Sequence, residues 1–339
     1  MNFRVDRWRA VALRSSLVIL TTVGALLLSS CGGGGQSSQS KRFKPTRMIV
    51  FGDESSLLVP PSTPLGVDAY KYSVNFVSGA TVDCRANLLW VQQLAAEYGL
   101  VFAECNPAGA PATAQMRATA GGKVADVALA VDAFLASSTP VPTDLITMMA
   151  GTNDIIELYN GVIASPLSRD AAAASAVTEI KARALVFASQ INRLVNYKNT
   201  KGRVLYSTVP EVNLTPFGQS KSSADQALLK QLTESFNDGF RVAEKDGGVI
   251  TNGRSLGFIK TQQRLRDIFD TVNDGNDFAG LTNVTHAACT VPASSCTQNT
   301  LVSVDADQKY LWADELRYGL VAHRYVGELA VDLATSLPF

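Results

Sequence analysis

Histidine is almost missing from this sequence. Only His286 and His323 occur in 339 residues, and they lie far apart along the chain. A zinc centre built on close-set ligands with histidine help is therefore not expected, and no motif calls for an organic cofactor. An excess of one charge is missing too: 30 Lys and Arg stand against 30 Asp and Glu. That balance gives no electrostatic reason to expect a nucleic-acid partner. No internal repeat is present, which argues against a solenoid or propeller.

The amino terminus is built differently from the rest. Arg4, Arg7, Arg9 and Arg14 make a basic start, and the apolar stretch "SLVILTTVGALLL" that follows is too short for a stable membrane span. It runs into Leu28-Ser29-Ser30-Cys31, which resembles a bacterial lipobox. The resemblance implies that residues 1–30 are a signal peptide and that Cys31 carries lipid. It also implies a protein of the bacterial cell envelope, with Gly32 after the cysteine favouring the outer membrane. Residues 31–45, opening with "GGGGQSSQSK", read as the lipidated cysteine and a flexible tether, and 46–339 as one domain. Removing residues 1–30 takes away four arginines and one aspartate, leaving 26 basic against 29 acidic residues. Cysteines 84, 105, 289 and 296 remain, an even number in an exported chain, which favours disulfides. Three pairings are open; Cys84–Cys105 with Cys289–Cys296 is preferred.

Along the domain, short apolar runs alternate with longer amphipathic ones. Strands are expected at 47–51, 100–103, 144–150, 203–209 and 248–251. Helices are expected at 87–99, 123–136, 176–195, about 223–245 and 320–334. Such alternation predicts an α/β fold, a three-layer α/β/α sandwich around a mostly parallel sheet. Ligands of such sheets gather at the carboxyl ends of the strands, so function is sought after 51, after 150 and after 209.

Three blocks sit at those places or near the end: "GDES" at 52–55, "GTND" at 151–154, and "LWADELRYGLVAH" with Asp314. In this order they resemble the SGNH or GDSL hydrolase superfamily of esterases, lipases, phospholipases and carbohydrate acyl-esterases, from about 48 to 330. The resemblance implies a flavodoxin-like sheet and an oxyanion hole in which Asn153 donates a side-chain hydrogen bond. "ATAGGKV" (118–124) is similar to the family's glycine block, which makes Gly121 the expected backbone donor, with Gly122 as the alternative. The implied partner is an ester, a lipid or an acylated glycan.

The nucleophile and the base depart from the family pattern. Glu54 stands where the family's serine follows Gly-Asp, and Arg317 stands three residues after Asp314, where its histidine belongs. Arginine cannot act as a neutral base, and a carboxylate attacking an ester gives only an anhydride. Glu54 and Arg317 are therefore expected to form an ion pair across the site, with Asp314 on the other edge of the guanidinium. This favours a catalytically impaired or altered member that retains an acyl- or anion-binding cleft around Gly121 and Asn153. Ser55, brought in by a local bulge, is the alternative nucleophile of an active esterase; a non-catalytic structural or interaction lipoprotein is the third reading. His323 is expected to pack along the closing helix, and His286 is a weaker candidate base. Leu214 and Phe217, in the loop 207–217 stiffened by Pro210 and Pro216, are candidates for an apolar wall. Tyr70, Tyr72 and Phe76 are candidates for a lid.

Overall fold

The computed structural model describes residues 42–60, 70–199, 202–241, 247–250 and 255–336. The signal segment, Cys31 and the tether as far as residue 41 lie outside the described residues. Five parallel strands form the central sheet: β1 (Arg47–Gly52), β2 (Ala114–Ala118), β3 (Asp144–Met149), β4 (Arg203–Ser207) and β5 (Leu256–Ile259). Their spatial order is β2-β1-β3-β4-β5, so the chain starts in the sheet, steps to one edge, and then winds to the other. In register, Val50 lies opposite Met116 on one side and Thr147 on the other.

Period-two alternation sends successive strand residues to opposite faces of the sheet. Ile49, Phe51, Ile146, Met148, Val204 and Tyr206 share one core. That core is covered by helices α2 (Val124–Ser137), α3 (Thr152–Ile163), α4 (Arg169–Asn196) and α5 (Ser223–Gly239). Met48, Val50, Leu145 and Leu205 face the other core, covered by α1 (Trp90–Glu97), α6 (Thr261–Asn273) and α7 (Leu320–Thr335). Because both faces are covered, β1 and β3 carry almost continuous apolar runs. The result is the three-layer α/β/α sandwich expected from the alternation.

Several boundaries differ from the sequence reading, each for a physical reason. Residues 100–103 form no strand; Phe102 makes a single bridge to Ala114, and the edge strand is β2, "AQMRA", whose polar residues are tolerated at an edge. Residues 248–250 carry no strand either, and Thr251 lies outside the described residues; the last strand of the central sheet is β5. Helix α4 starts at Arg169, seven residues before the expected 176, because Ser168 caps it by accepting from the N–H of Ala171, and its alanine-rich first turns show no hydrophobic period. The packed domain also begins before residue 46: Phe43 is buried, edge-on to Tyr98 and under the guanidinium of Arg203.

Both preferred disulfides are present, Cys84–Cys105 and Cys289–Cys296. Near the first, Lys71 is fully buried, and its ammonium donates to the carbonyls of Cys84, Ala86 and Asn87. Burial pulls its pKa down to about 8, against the opposing pull of Asp83. This clasp ties Lys71 to the chain at 84–87, just ahead of α1. No helix among the described residues is long and apolar enough to cross a membrane.

Candidate functional site

The site grows from the carboxyl ends of β1 and β3. Gly52 ends β1 at φ +149°, and a Cβ there would come within 2.1 Å of the Met149 carbonyl oxygen on β3. Only glycine allows this approach, which lets the chain turn directly into Asp53 and Glu54. Gly151, at φ +132°, is similarly pressed against the ring of Phe236, where a Cβ would lie 2.2 Å away. This places the first turn of α3, carrying Asn153, next to the β1 turn.

Glu54 opens a short 3-10 turn with Ser55 and Ser56. Its Oε2 accepts hydrogen bonds from the backbone N–H of Gly121 and from Asn153 Nδ2, both at 2.9 Å. Its Oε1 is ion-paired with Arg317 Nη2. The Glu54 side chain is 2% exposed and that of Arg317 17%, so the pair is largely removed from water. Glu54, Gly121, Asn153 and Arg317 thus meet at one point, with two donors converging on a single carboxylate oxygen. Gly122, the alternative donor, instead offers its carbonyl to Asn153 Nδ2 at 3.1 Å.

Asp53 is fully packed against this group. Its carboxylate accepts from the N–H of Ser55 at 2.9 Å. Burial, and secondly the charge of Glu54, push its pKa up to about 7, against the Ser55 hydrogen bonds and the charge of Arg317.

Asp314 does not hold the guanidinium, contrary to the sequence expectation. Its Oδ1 accepts the N–H groups of Leu316 at 2.9 Å and Arg317 at 2.8 Å, and its Oδ2 accepts that of Ala293 at 2.9 Å. Backbone donors in the tight 314–317 turn and in the disulfide loop reach the carboxylate first. Asp314 therefore fixes where the main chain presents Arg317 without touching its charge.

Ser55 has no histidine base here: its N–H and its side chain are both hydrogen-bonded to the buried Asp53 carboxylate, and the two histidines are engaged elsewhere. His323 is buried on α7, where its Nδ1 accepts from the Trp90 N–H at 3.4 Å and its ring packs edge-on against Tyr318. Burial, and then the charge of Lys71, lower its pKa to about 3, so the ring is neutral. His286 is exposed and bonded to Thr285 Oγ1 at 2.9 Å.

One positioning residue carried no expected role in the sequence. Asp154, buried beside Asn153, accepts the N–H of Val124 at 3.0 Å and is paired with Arg183 at 3.1 Å. It thereby ties the glycine turn to α3 and fixes the distance between Gly121 and Asn153. Its position in the "GTND" block was the available signal. Phe217 packs edge-on against Tyr159, and Leu214 packs against the second core, so both are committed to the fold. Tyr70 and Tyr72 pack on each other, while Phe76 is 39% exposed.

Beside Arg317 a groove of about 480 Å³ opens between residues 287–292 and 314–317. Ala287, Val291, Pro292 and Leu316 supply apolar walls, with Arg317 at one side. Among the described residues no cluster of three metal-ligating side chains occurs.

No protein-family model matches the sequence, and no curated protein matches it. Among solved structures, the chain is similar to phospholipase A1 from Streptomyces albidoflavus NA297, at 14% identity over 86% of this chain and 100% of that one, with a TM-score of 0.45. It is also similar to an extracellular lipase from Streptomyces rimosus, at 14% identity over 86% and 100% of the two chains and a TM-score of 0.40. A member of the lipolytic G-D-S-L family from Veillonella parvula gives 13% identity over 86% and 99%, with a TM-score of 0.40. Likenesses this distant carry no argument about what the chain does. The parallel sheet between helical layers, with the three blocks at one end of its strands, is consistent with the fold that the sequence resemblance implies.

Proposed function

We propose that this chain is a lipid-anchored envelope protein of the SGNH/GDSL ester hydrolase superfamily whose nucleophile seat is filled by Glu54, so that it does not hydrolyse esters by the family's route. The observation carrying this reading is the convergence of Gly121 N–H and Asn153 Nδ2 on one oxygen of Glu54. Two preorganised donors aimed at one point are what a tetrahedral oxyanion needs, and here a resident carboxylate already takes them. The other carboxylate oxygen is held by Arg317, a permanent cation that cannot accept a proton from an attacking hydroxyl. Both halves of the usual nucleophile–base pair are thus satisfied by each other. Loss of one member of such a machinery leaves about 10³- to 10⁴-fold acceleration over water, supplied by the oxyanion hole and binding, and here Glu54 occupies that hole as well.

A chromogenic short-chain ester assay tests this reading. Turnover indistinguishable from an unrelated protein is expected. Activity that is abolished by Ser55→Ala and untouched by Glu54→Ala would establish the rival, an esterase using Ser55. Anchoring rests on Cys31 and its neighbours in the sequence; incorporation of labelled palmitate that disappears in Cys31→Ser checks it independently of the site.

A further inference from the structure

We infer that the amino-end face of the central sheet docks on anionic phospholipid headgroups, so that the domain rests on the membrane with the Glu54–Arg317 site turned to the aqueous side. The inference rests on the reading that Cys31 is lipidated. The face is where the described chain begins. Arg42 and Lys44 lead into β1, and Arg47, Asp144 and Arg203 stand at the first positions of β1, β3 and β4. Lys198 lies in the turn before β4, with its ammonium over the Tyr197 ring, and the Tyr197 hydroxyl donates to the Leu135 carbonyl near the end of α2 at 3.4 Å. The Arg203 guanidinium lies 4.1 Å from the Phe43 ring centroid. Burial, then Glu97, raise the Tyr98 pKa, and the charges of Arg42 and Arg203 both oppose that rise, so the two cations flank one ring.

Charge and reach identify the occupant. Arg42, Lys44 and Lys198 are exposed, and none has an ion-pair partner among the described residues. Arg47 differs: it is spent on Asp144 at 2.6 Å, which also accepts the Val141 N–H. The exposed acids Glu97 and Asp332 close α1 and α7 on the Tyr98 side, so the positive field is a patch beside β1 and β4 and not the whole end. Val141 and Pro142 stand exposed in the same patch, where Gly202 packs against Pro140 and Thr46 Oγ1 bonds Thr143 Oγ1 at 2.9 Å. Cations around a small apolar tip suit an interface of anionic headgroups over acyl chains. Residues 32–41 join Cys31 to this face and reach at most about 40 Å even fully extended. A lipid at Cys31 therefore holds the patch near headgroups, while the site lies at the far end of six-residue strands, about 20 Å away. Whatever enters the groove beside Arg317 then arrives from the aqueous side and not from the bilayer.

The test places the lipidated, isotope-labelled protein in nanodiscs carrying a gadolinium-chelating lipid, in phosphatidylcholine alone or with phosphatidylglycerol added. With phosphatidylglycerol, amide broadening is expected at 42–46, 139–143 and 197–199 and not at 52–55 or 314–317, and salt at about 1 M is expected to remove it. Each cation near such a surface adds roughly fivefold, so the triple variant Arg42→Gln, Lys44→Gln, Lys198→Gln is expected to lower the docked-to-undocked ratio about 100-fold. Lys260→Gln, an exposed cation at the other end, is expected to change it by less than about twofold. Broadening that is absent, equal on neutral and anionic discs, or strongest at 314–317 overturns the inference. A chain that carries no lipid overturns the anchoring reading instead. Sedimentation of that chain with phosphatidylglycerol vesicles, weakened about 100-fold in the triple variant, then decides for the patch, and failure to sediment decides against it.

Discussion

Replacing Arg317 by Met strands a buried carboxylate, and the size of the penalty follows from what Glu54 keeps. Breaking a buried ion pair by removing one partner costs about 3–5 kcal/mol. Glu54 retains the hydrogen bonds from Gly121 and Asn153, so the lower end, about 3 kcal/mol, is expected for Arg317→Met. Glu54→Leu releases a cation that reaches water through its exposed edge but leaves two N–H donors unsatisfied, at about 1–3 kcal/mol each. The double variant has no stranded charge and carries only the donor penalty. The cycle therefore gives a coupling energy of about 2–3 kcal/mol between positions 54 and 317. Urea unfolding of the four proteins at pH 7 measures it. A coupling below about 0.5 kcal/mol, the range of a solvated surface pair, would refute the placement of Glu54 and Arg317 as a buried unit.

Two buried groups titrate with opposite consequences. His323 has a folded pKa of about 3, well below its unfolded value of 6.5, so the unfolded chain binds the extra proton between these limits. Stability through this group falls by about 1.4 kcal/mol per pH unit on acidification below 6.5, and His323→Phe should flatten that limb in pH-dependent melting. Asp53, with a folded pKa of about 7 against 3.8, contributes stability that is lost as pH rises from 3.8 to 7. Asp53→Asn, which keeps an acceptor for the Ser55 N–H, should therefore gain on the wild type as pH rises through that window, at about 1.4 kcal/mol per unit. The two slopes oppose each other between 3.8 and 6.5, so opposed profiles of the two variants relative to the wild type are the expected signature. The disulfides should rank by the loop each closes, with sequence separations of 21 and 7. Chain entropy gives about 3.4 kcal/mol for Cys84–Cys105 and about 2.5 kcal/mol for Cys289–Cys296, read as the loss in the paired serine variants by denaturant unfolding.

What the sequence revealed and what it hid follow from how each feature is encoded. The buried strands were legible because both faces of the sheet are covered, which turns β1 and β3 into continuous apolar runs. The edge strand β2 was hidden because its burial is partial and its polar positions break the pattern, and β5 because it is only 4 residues long, contains a glycine and is half-buried. The opposite charges at 54 and 317 suggested a pair, since each replaces one member of a hydrogen-bonded couple. The same logic failed for Asp314, because a carboxylate in a tight turn bonds first to the N–H groups of its own turn. Lys71 left little trace, because a residue that works by meeting distant main-chain groups has no local spacing to betray it, whereas Asp154 was signalled only by its place in the "GTND" block.

The central claim, that a carboxylate holds the donors meant for an attacking oxygen's product, is tested most directly by a fluorophosphonate probe with the adduct mapped by mass spectrometry. The wild type should carry no adduct, while the double variant Glu54→Ser with Arg317→His should be labelled at position 54. An adduct on Ser55 of the unmodified protein would contradict the account.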